Sequence, residues 1–191
     1  MFKAQYRVLV LLVLLFASCS PQPVVNPLTA PQAATAPAYP FGLFNSLDWK
    51  LTLPINNAQE IKVGGSPDLR VYSDGWFKFN KDATGVTFTA PTSGDTTANS
   101  NNPRSELREM TSDGKANASW SSTSGVHSMV IVQSVDALNI GNKPIVVAGQ
   151  IHDSSDDITV WRIEGSLTDR TVAAIWITDG NTSHGHLVTN S

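Results

Sequence analysis

The sequence predicts an all-β fold in which antiparallel strands form a sandwich or jelly roll. Short segments of about five residues alternate apolar and polar side chains, and turn dipeptides such as Asp74-Gly75 and Thr84-Gly85 separate them. After Cys19 no segment shows a long apolar period of 3.6 residues, so helices are not expected to build the core. No internal repeat is visible, which argues against a propeller or a solenoid.

The first 19 residues have the pattern of a lipoprotein signal peptide. Two cations, Lys3 and Arg7, precede an unbroken apolar run from Val8 to Phe16, which is too short to span a bilayer as a mature helix. Cys19 is the only cysteine of the chain and follows small residues, so it is predicted to carry the lipid. The alternative is an ordinary signal peptide with an incidental thiol. The expected location is the outer membrane or cell surface, or otherwise the periplasm or the medium.

Residues 20–40 are predicted to form a flexible tether, and residues 41–191 to form the folded domain. The tether is rich in Pro, Ala, Thr and Gln and holds no charged residue, so it cannot bury a core. The formal net charge of -3 gives no electrostatic support for nucleic-acid binding. Membrane contact is expected only through the N-terminal lipid on Cys19.

The strands of the domain are expected to follow one another from residue 49 onward. Trp49 to Leu53 alternates apolar and polar residues and ends at Pro54. Further strands are expected at residues 76–79, 86–89, 104–109, 127–135, 145–152, 158–164 and 171–178. A helical turn is weakly indicated over residues 46–48. His184 and His186 are expected in a surface loop.

The stretch Arg104-Ser105-Glu106-Leu107-Arg108 is the first candidate site. Successive side chains of a strand point to opposite faces, so Arg104, Glu106 and Arg108 share one face. The planar fork of arginine binds carboxylates in a bidentate manner, which suits an acidic ligand. A solvated strand face with cross-strand ion pairs is the alternative, and spacing alone does not exclude it.

The second candidate site is Gln150-Ile151-His152, at the end of an apolar strand. Gln150 and His152 lie on one face of that strand and Ile151 on the other. Histidine serves readily as a base near neutral pH, and an amide can donate a hydrogen bond to a developing oxyanion. The alternative is a polar pair at a strand end on the surface.

At these two motifs the chain closely resembles the family-seven polysaccharide lyases, the alginate lyases with a concanavalin-like jelly roll. The resemblance extends from about Phe44 to the end, in the order and spacing of the family. It is supported by three further stretches, at residues 49–54, 88–91 and 143–144. The resemblance implies an all-β, concanavalin-like jelly-roll sandwich of antiparallel strands, incomplete at its C-terminus.

The resemblance also implies a reaction, which is β-elimination at the 4-O-linkages of alginate. In this family a base removes the C5 proton of a uronate, the C4–O bond breaks, and an unsaturated uronate end remains. Arg104, Gln150 and His152 are expected to surround the carboxylate of the reacting sugar, with His152 as a base. Glu106 and Arg108 are expected to bind neighbouring substrate. No cofactor and no metal are expected, and the protein is expected to act as a monomer.

One family motif, Tyr-Phe-Lys-Ala-Gly-x-Tyr, is absent from this sequence. The only tyrosines are Tyr6, Tyr39 and Tyr72, and none matches the position whose hydroxyl protonates the leaving oxygen. We therefore expect the chain to be a fragment of a longer reading frame, with little or no turnover as it stands. The main alternative is a non-catalytic jelly-roll lipoprotein that binds acidic polysaccharide. A structural envelope lipoprotein and a lyase for another polyuronate are further alternatives.

Overall fold

The computed structural model describes residues 5–11, 36–44, 48–121, 123–139, 144–155, 157–165, 172–177 and 186–190. Its regular elements are eleven strands and two short 3-10 helices, Pro40–Leu43 and Leu69–Val71. Every pairing between strands is antiparallel, as the sequence predicted. Within these ranges no helix is long and apolar enough to cross a membrane.

The strands form three hydrogen-bonded sheets. The first has the order β4-β5-β1-β7, the second β3-β2-β6 and the third β11-β10-β9-β8. The strands are β1 Gln5–Leu11, β2 Trp49–Thr52, β3 Glu60–Lys62, β4 Phe77–Phe79, β5 Val86–Pro91, β6 Glu106–Glu109, β7 Val132–Ala137, β8 Ile145–His152, β9 Asp157–Gly165, β10 Val172–Ile177 and β11 His186–Asn190.

The second and third sheets are connected by the segment Asn117–Trp120, which lies between β6 and β8. On the β6 side, Met110 and Asn117 form an antiparallel bridge, and the Ala118 amide donates to the Glu109 carbonyl at 2.9 Å. On the β8 side, the Trp120 amide donates to the carbonyl of His152 at 2.9 Å. The two sheets therefore act as one curved layer that runs from β3 to β11.

The core lies at one end of the sandwich, between β2, β3 and β6 on one side and β4 and β5 on the other. Leu51 and Phe77 are completely buried there, and the Phe77 ring meets that of Phe88 edge-on at 5.3 Å between centroids. Alternation explains this packing, because Leu51 and Leu53 share the inward face of the β2 segment while Leu107 of β6 packs against the same cluster.

The other end of the sandwich is open. A cavity of about 780 Å³ lies between the segment that leads into β7 and the strands β8 and β9. Met129 and Ile131 line one wall, and Trp161 and Ile163 line the other. Gly149 allows β8 and the segment before β7 to approach each other closely, since a Cβ atom at position 149 would lie 2.6 Å from Cδ1 of Ile131. Apolar side chains here are only partly covered.

The N-terminal segment differs from the expectation that residues 1–19 stay outside the fold. In the structure Gln5–Leu11 forms β1, which pairs with both β5 and β7. The physical reason is that Val8–Leu11 is an apolar stretch with high β-propensity, and its backbone groups are paired on both sides by β5 and β7. Cys19 and most of the tether lie outside the described residues, so the signal peptide, its lipidation and the domain boundaries stay predictions.

Smaller differences concern element bounds. The short strand β3 was not predicted, because its three residues carry too little pattern. The strand expected over residues 127–135 starts only at Val132, after a run in which Val126 is 96% exposed. His186 begins β11 and is not in a loop, since its segment pairs with β10. His184 and residues 46 and 47 of the expected helical turn lie outside the described residues.

Candidate active site

The first group of candidate residues is positioned by β6 and the turn before it. Leu107 faces the core, so by alternation Glu106 and Arg108 point away from it. The Ser105 hydroxyl donates to the Trp76 carbonyl at 2.8 Å and fixes the chain just before the strand. Arg104 reaches the same outer face, where its Nη1 lies 3.2 Å from Oε2 of Glu106.

The electrostatics of this group leave one arginine incompletely bonded. Nε of Arg104 is buried and makes no hydrogen bond, although Nη1 is paired with Glu106. Burial lowers the pKa of the Arg108 guanidinium, Glu106 opposes that shift, and the positive charge of Arg104 adds to it. Nη2 of Arg108 also makes a long contact of 3.4 Å with the Ala118 carbonyl. The group can therefore accept a further anion.

Two lysines extend this cationic face across the sheet, and sequence reasoning missed them. Lys50 of β2 lies opposite Arg108 on one side and opposite Lys62 of β3 on the other. Residues paired directly across antiparallel strands share a face, so the three cations form a row. Glu60 lies between the lysines and forms ion pairs with both. The alternation of Trp49–Leu53 predicts that Lys50 lies on the face opposite to Leu51. It does not predict which strands pair with β2, and therefore not that Arg108 and Lys62 lie beside Lys50.

The second group of candidate residues is carried by β8. Its last residues, Gln150 and His152, lie on the same face, and the Gln150 amide nitrogen is 2.5 Å from Nε2 of the His152 ring. Their contact follows directly from the two-residue period of a strand. The roles of donor and acceptor in this pair depend on the tautomer of the imidazole.

The segment Asn117–Trp120 brings the two groups into one region. It hydrogen-bonds to β6 along one edge and to the His152 carbonyl along the other. Neighbouring strands are spaced at about 4.8 Å, so β6 and β8 are roughly 10 Å apart. Arg104, Glu106 and Arg108 therefore lie two strand positions away from Gln150 and His152, on the same curved layer.

A further charged pair, Arg162 and Glu164 of β9, was not among the predicted site residues. Arg162 lies opposite Val147 of β8 and on the same face as Gln150, whose partner in the register is Val160. Nη2 of Arg162 is 2.6 Å from Oε1 of Glu164. The strand itself was predicted, but the register that joins this pair to the face of Gln150 contains two bulges and cannot be read from sequence.

Tyr72 is occupied elsewhere in the structure and does not join either group. Tyr72 follows the second 3-10 helix, packs against the core and donates its hydroxyl to Oδ2 of Asp74 at 2.8 Å. Its partial burial and that hydrogen bond raise the pKa of its phenol above the ordinary value. Tyr39 precedes the first 3-10 helix, and Tyr6 lies within β1.

No cluster of three or more His, Cys, Asp or Glu side chains with the geometry for a metal ion occurs among the described residues. The charged groups are arranged instead as arginine–carboxylate pairs along strands. Such a surface matches a ligand that carries carboxylates of its own.

Comparison with known proteins identifies the family. A family model for alginate lyases matches residues 44–190. The solved structure of alginate lyase AlgAT5 from polysaccharide lyase family 7 is 36% identical, with a TM-score of 0.57, over 80% of this chain and 68% of that one. The alginate lyase from Corynebacterium sp. is 38% identical, with a TM-score of 0.60, over 79% of this chain and 65% of that one.

The chain thus spans about two thirds of the length of each of these lyases. No curated protein matches it. These similarities, together with the antiparallel strands described above, confirm the predicted jelly-roll sandwich and the predicted family. The chain belongs to the alginate lyase family of polysaccharide lyases.

Proposed function

We propose that the protein depolymerises alginate by β-elimination at the 4-O-linkages between uronates. The proposal rests on one observation above all. An arginine group at β6 and a glutamine–histidine pair at the end of β8 lie on one curved layer, joined by Asn117–Trp120. Family membership supplies the reaction type, and this arrangement supplies groups suited to it.

The first requirement of the reaction is stabilisation of negative charge. The C5 proton of a uronate is poorly acidic while the adjoining carboxylate is ionised. Neutralising that carboxylate lowers the barrier, because charge then develops next to a positive group. Arg104 meets this need through its unbonded Nε, and Gln150 donates an amide hydrogen bond to the developing enolate. Glu106 holds Arg104, and Arg108 binds a neighbouring carboxylate.

The second requirement is movement of two protons. In the proposed step His152 accepts the C5 proton, the C5–H electron pair forms the C4=C5 double bond, and the C4–O bond breaks. The leaving oxygen must then gain a proton. In the family motif a tyrosine supplies it, and neither Tyr72, which is bonded to Asp74, nor Tyr39 lies with the candidate residues. Turnover of the 191-residue chain is therefore expected to be low.

The test is an ultraviolet assay for the unsaturated uronate that β-elimination creates. Purified 191-residue protein is incubated with alginate at high enzyme concentration, so that slow turnover is visible. His152→Ala should lower the rate about a hundredfold or more, since it removes the base. Arg70→Gln is the control, because Arg70 pairs with Asp68 in the second 3-10 helix and lies outside both strands. Equal rates for wild type and His152→Ala would show that His152 is not the base.

A second candidate function is binding of acidic polysaccharide without cleavage. The bonded hydroxyl of Tyr72 and the absence of the tyrosine motif favour it. The same assay separates the two functions when it is combined with a titration of alginate. Binding without any unsaturated product supports the binding module, whereas neither binding nor product contradicts both functions.

We also propose that the mature protein is a monomeric lipoprotein, exported and attached to the outer membrane or cell surface through Cys19. The apolar run and the small residues before this cysteine support the assignment. Mass spectrometry of the membrane-extracted protein should find a lipid on Cys19, and Cys19→Ser should abolish it. Sedimentation of the released domain should give the mass of one chain.

A further inference from the structure

The pair Arg162–Glu164 lies beside the Gln150–His152 pair and has no part in the mechanism above. Both of its side chains belong to β9, the strand that pairs with β8. Alternation places Arg162 and Val160 on one face, and Val160 is the register partner of Gln150. Arg162 therefore lies diagonally across from Gln150, about 7 Å away between backbone positions.

The bonding of Arg162 is incomplete although the side chain is only 12% exposed. Nη2 lies 2.6 Å from Oε1 of Glu164 in an ion pair, but the buried atoms Nε of Arg162 and Oε1 of Glu164 both lack a hydrogen-bond partner. A buried donor without an acceptor is costly, at about 1–3 kcal/mol, more when charged, and calls for an explanation. A ligand that carries both a carboxylate and hydroxyl groups would satisfy both atoms, since it has an acceptor for Nε and a donor for Oε1.

Comparison of three arginine–carboxylate pairs shows that a buried, unbonded Nε is not a general property of such pairs. In each pair the two residues are separated by one position: Arg104 with Glu106, Arg162 with Glu164 and Arg70 with Asp68. Arg70 uses both Nε and Nη2 on the carboxylate of Asp68, so its fork is fully engaged. Arg104 and Arg162 each keep Nε unbonded and buried. Only the two pairs on the curved layer beside β8 retain a donor for a further carboxylate.

We propose that Arg162, held by Glu164, is a second carboxylate-binding position for the polyuronate, on the β9 side of His152. The order β6, Asn117–Trp120, β8, β9 puts three strand spacings, roughly 14 Å, between the two arginine pairs. A polyuronate that crosses these strands presents carboxylates to both. This inference rests on the proposed function, because it takes a uronate chain as the ligand.

The experiment measures affinity of the full 191-residue chain for saturated alginate oligosaccharides of increasing length by calorimetry. Arg162→Gln should weaken binding of long oligosaccharides about tenfold, the effect of losing one charge-assisted hydrogen bond. Short oligosaccharides, which do not reach β9, should bind as before. Arg162→Lys should recover part of the affinity, because it restores the charge without the fork. Arg70→Gln is the matched control and should change nothing.

Each outcome bears on one of the two proposals. If Arg104→Gln weakens binding at every length while Arg162→Gln weakens it at none, the second position is wrong and the proposed function stands. A loss of equal size at every length also contradicts it, because a merely structural role would produce that. If the wild type does not prefer alginate to a carboxyl-reduced oligosaccharide, the proposed function itself fails. Should Arg162→Gln not fold, Glu164→Gln replaces it with the same length dependence expected.

Discussion

The two ends of the sandwich differ in how well the same two layers are packed together. At one end β2, β3 and β6 meet β4 and β5 around side chains such as Leu51 and Phe77, which have no exposed surface. At the other end the layers border an open cavity of about 780 Å³, and Met129, which lines it, is 46% exposed. Burial of apolar surface is the main source of stability, so the packed end should carry most of it.

The candidate site lies across the boundary between these ends. Its arginine group at β6 is attached to the packed end, whereas Gln150, His152 and Arg162 belong to strands that border the cavity. The arginine group therefore has a rigid support, whereas Gln150, His152 and Arg162 have a weaker one. Four predictions test this contrast, from the largest expected effect to the smallest.

The largest effect is expected at the centre of the packed end. Phe77→Ala should lower the free energy of unfolding by about 3–5 kcal/mol, because it removes a fully buried ring that packs on Phe88. Ile163→Ala, on the wall of the cavity, should cost about 1 kcal/mol, since part of that surface is already solvated. Urea denaturation monitored by circular dichroism measures both. Equal losses would contradict the contrast between the two ends.

An intermediate effect is expected from the charged row on the packed end. Glu60→Gln should lower the free energy of unfolding by about 2–3 kcal/mol, because it leaves the largely buried ammonium of Lys50 without its carboxylate. Asp113→Asn is the control, since its partner Lys115 is exposed and exposed pairs contribute about 0–1 kcal/mol. Urea denaturation measures both variants. If Glu60→Gln lowers the free energy of unfolding no more than Asp113→Asn does, the Lys50 ammonium stays hydrated.

Amide hydrogen exchange should show the contrast without any substitution. The amides of Leu51 in β2 and Leu107 in β6 should exchange at least about tenfold more slowly than that of Val147 in β8, because opening β8 exposes less buried apolar surface. Mass spectrometry after timed exchange measures the rates. Uniform protection across all three strands would mean that the ends unfold as one unit.

The smallest effect concerns a surface ion pair at the packed end. The Arg70 hydrogen bonds hold the pKa of Asp68 well below its ordinary value of 3.8. The charged form is thus favoured by folding, so its stabilisation is present above pH 3.8 and is lost as the pH falls below that value. Asp68→Asn should lower the Tm slightly at neutral pH, and the difference from wild type should shrink in acid. A pH-independent difference would contradict this origin.

The fold was predictable where alternation is strong. The pattern of Trp49–Leu53 and the turn signals before Phe77 and Val86 gave strands close to those observed. The short β3 carries too few residues for a pattern, and the pairing of β1 depends on two distant strands that no local sequence reveals. Long-range register is a tertiary property, because the same strand pattern is compatible with several partners.

The candidate site was predictable within each strand but not between strands. The period of two placed Gln150 beside His152 and Arg104 beside Glu106, and both contacts are present. The same period would have paired Arg162 with Glu164, but a charged pair in a strand is common and does not by itself mark a site. Its position beside Gln150 follows only from the register of β8 and β9, which two bulges shift.

The connection through Asn117–Trp120 has a consequence for heat tolerance. The segment meets β8 at the main-chain hydrogen bond from the Trp120 amide to the His152 carbonyl, and it spans only four residues. We expect this short joint to open before the longer strand ladders that it connects, so warming should loosen it first. The protein then loses its hold on the sugar chain at a temperature where its circular dichroism is still that of the intact sandwich. Work on a more heat-resistant form should begin with reinforcement of this joint rather than with the core.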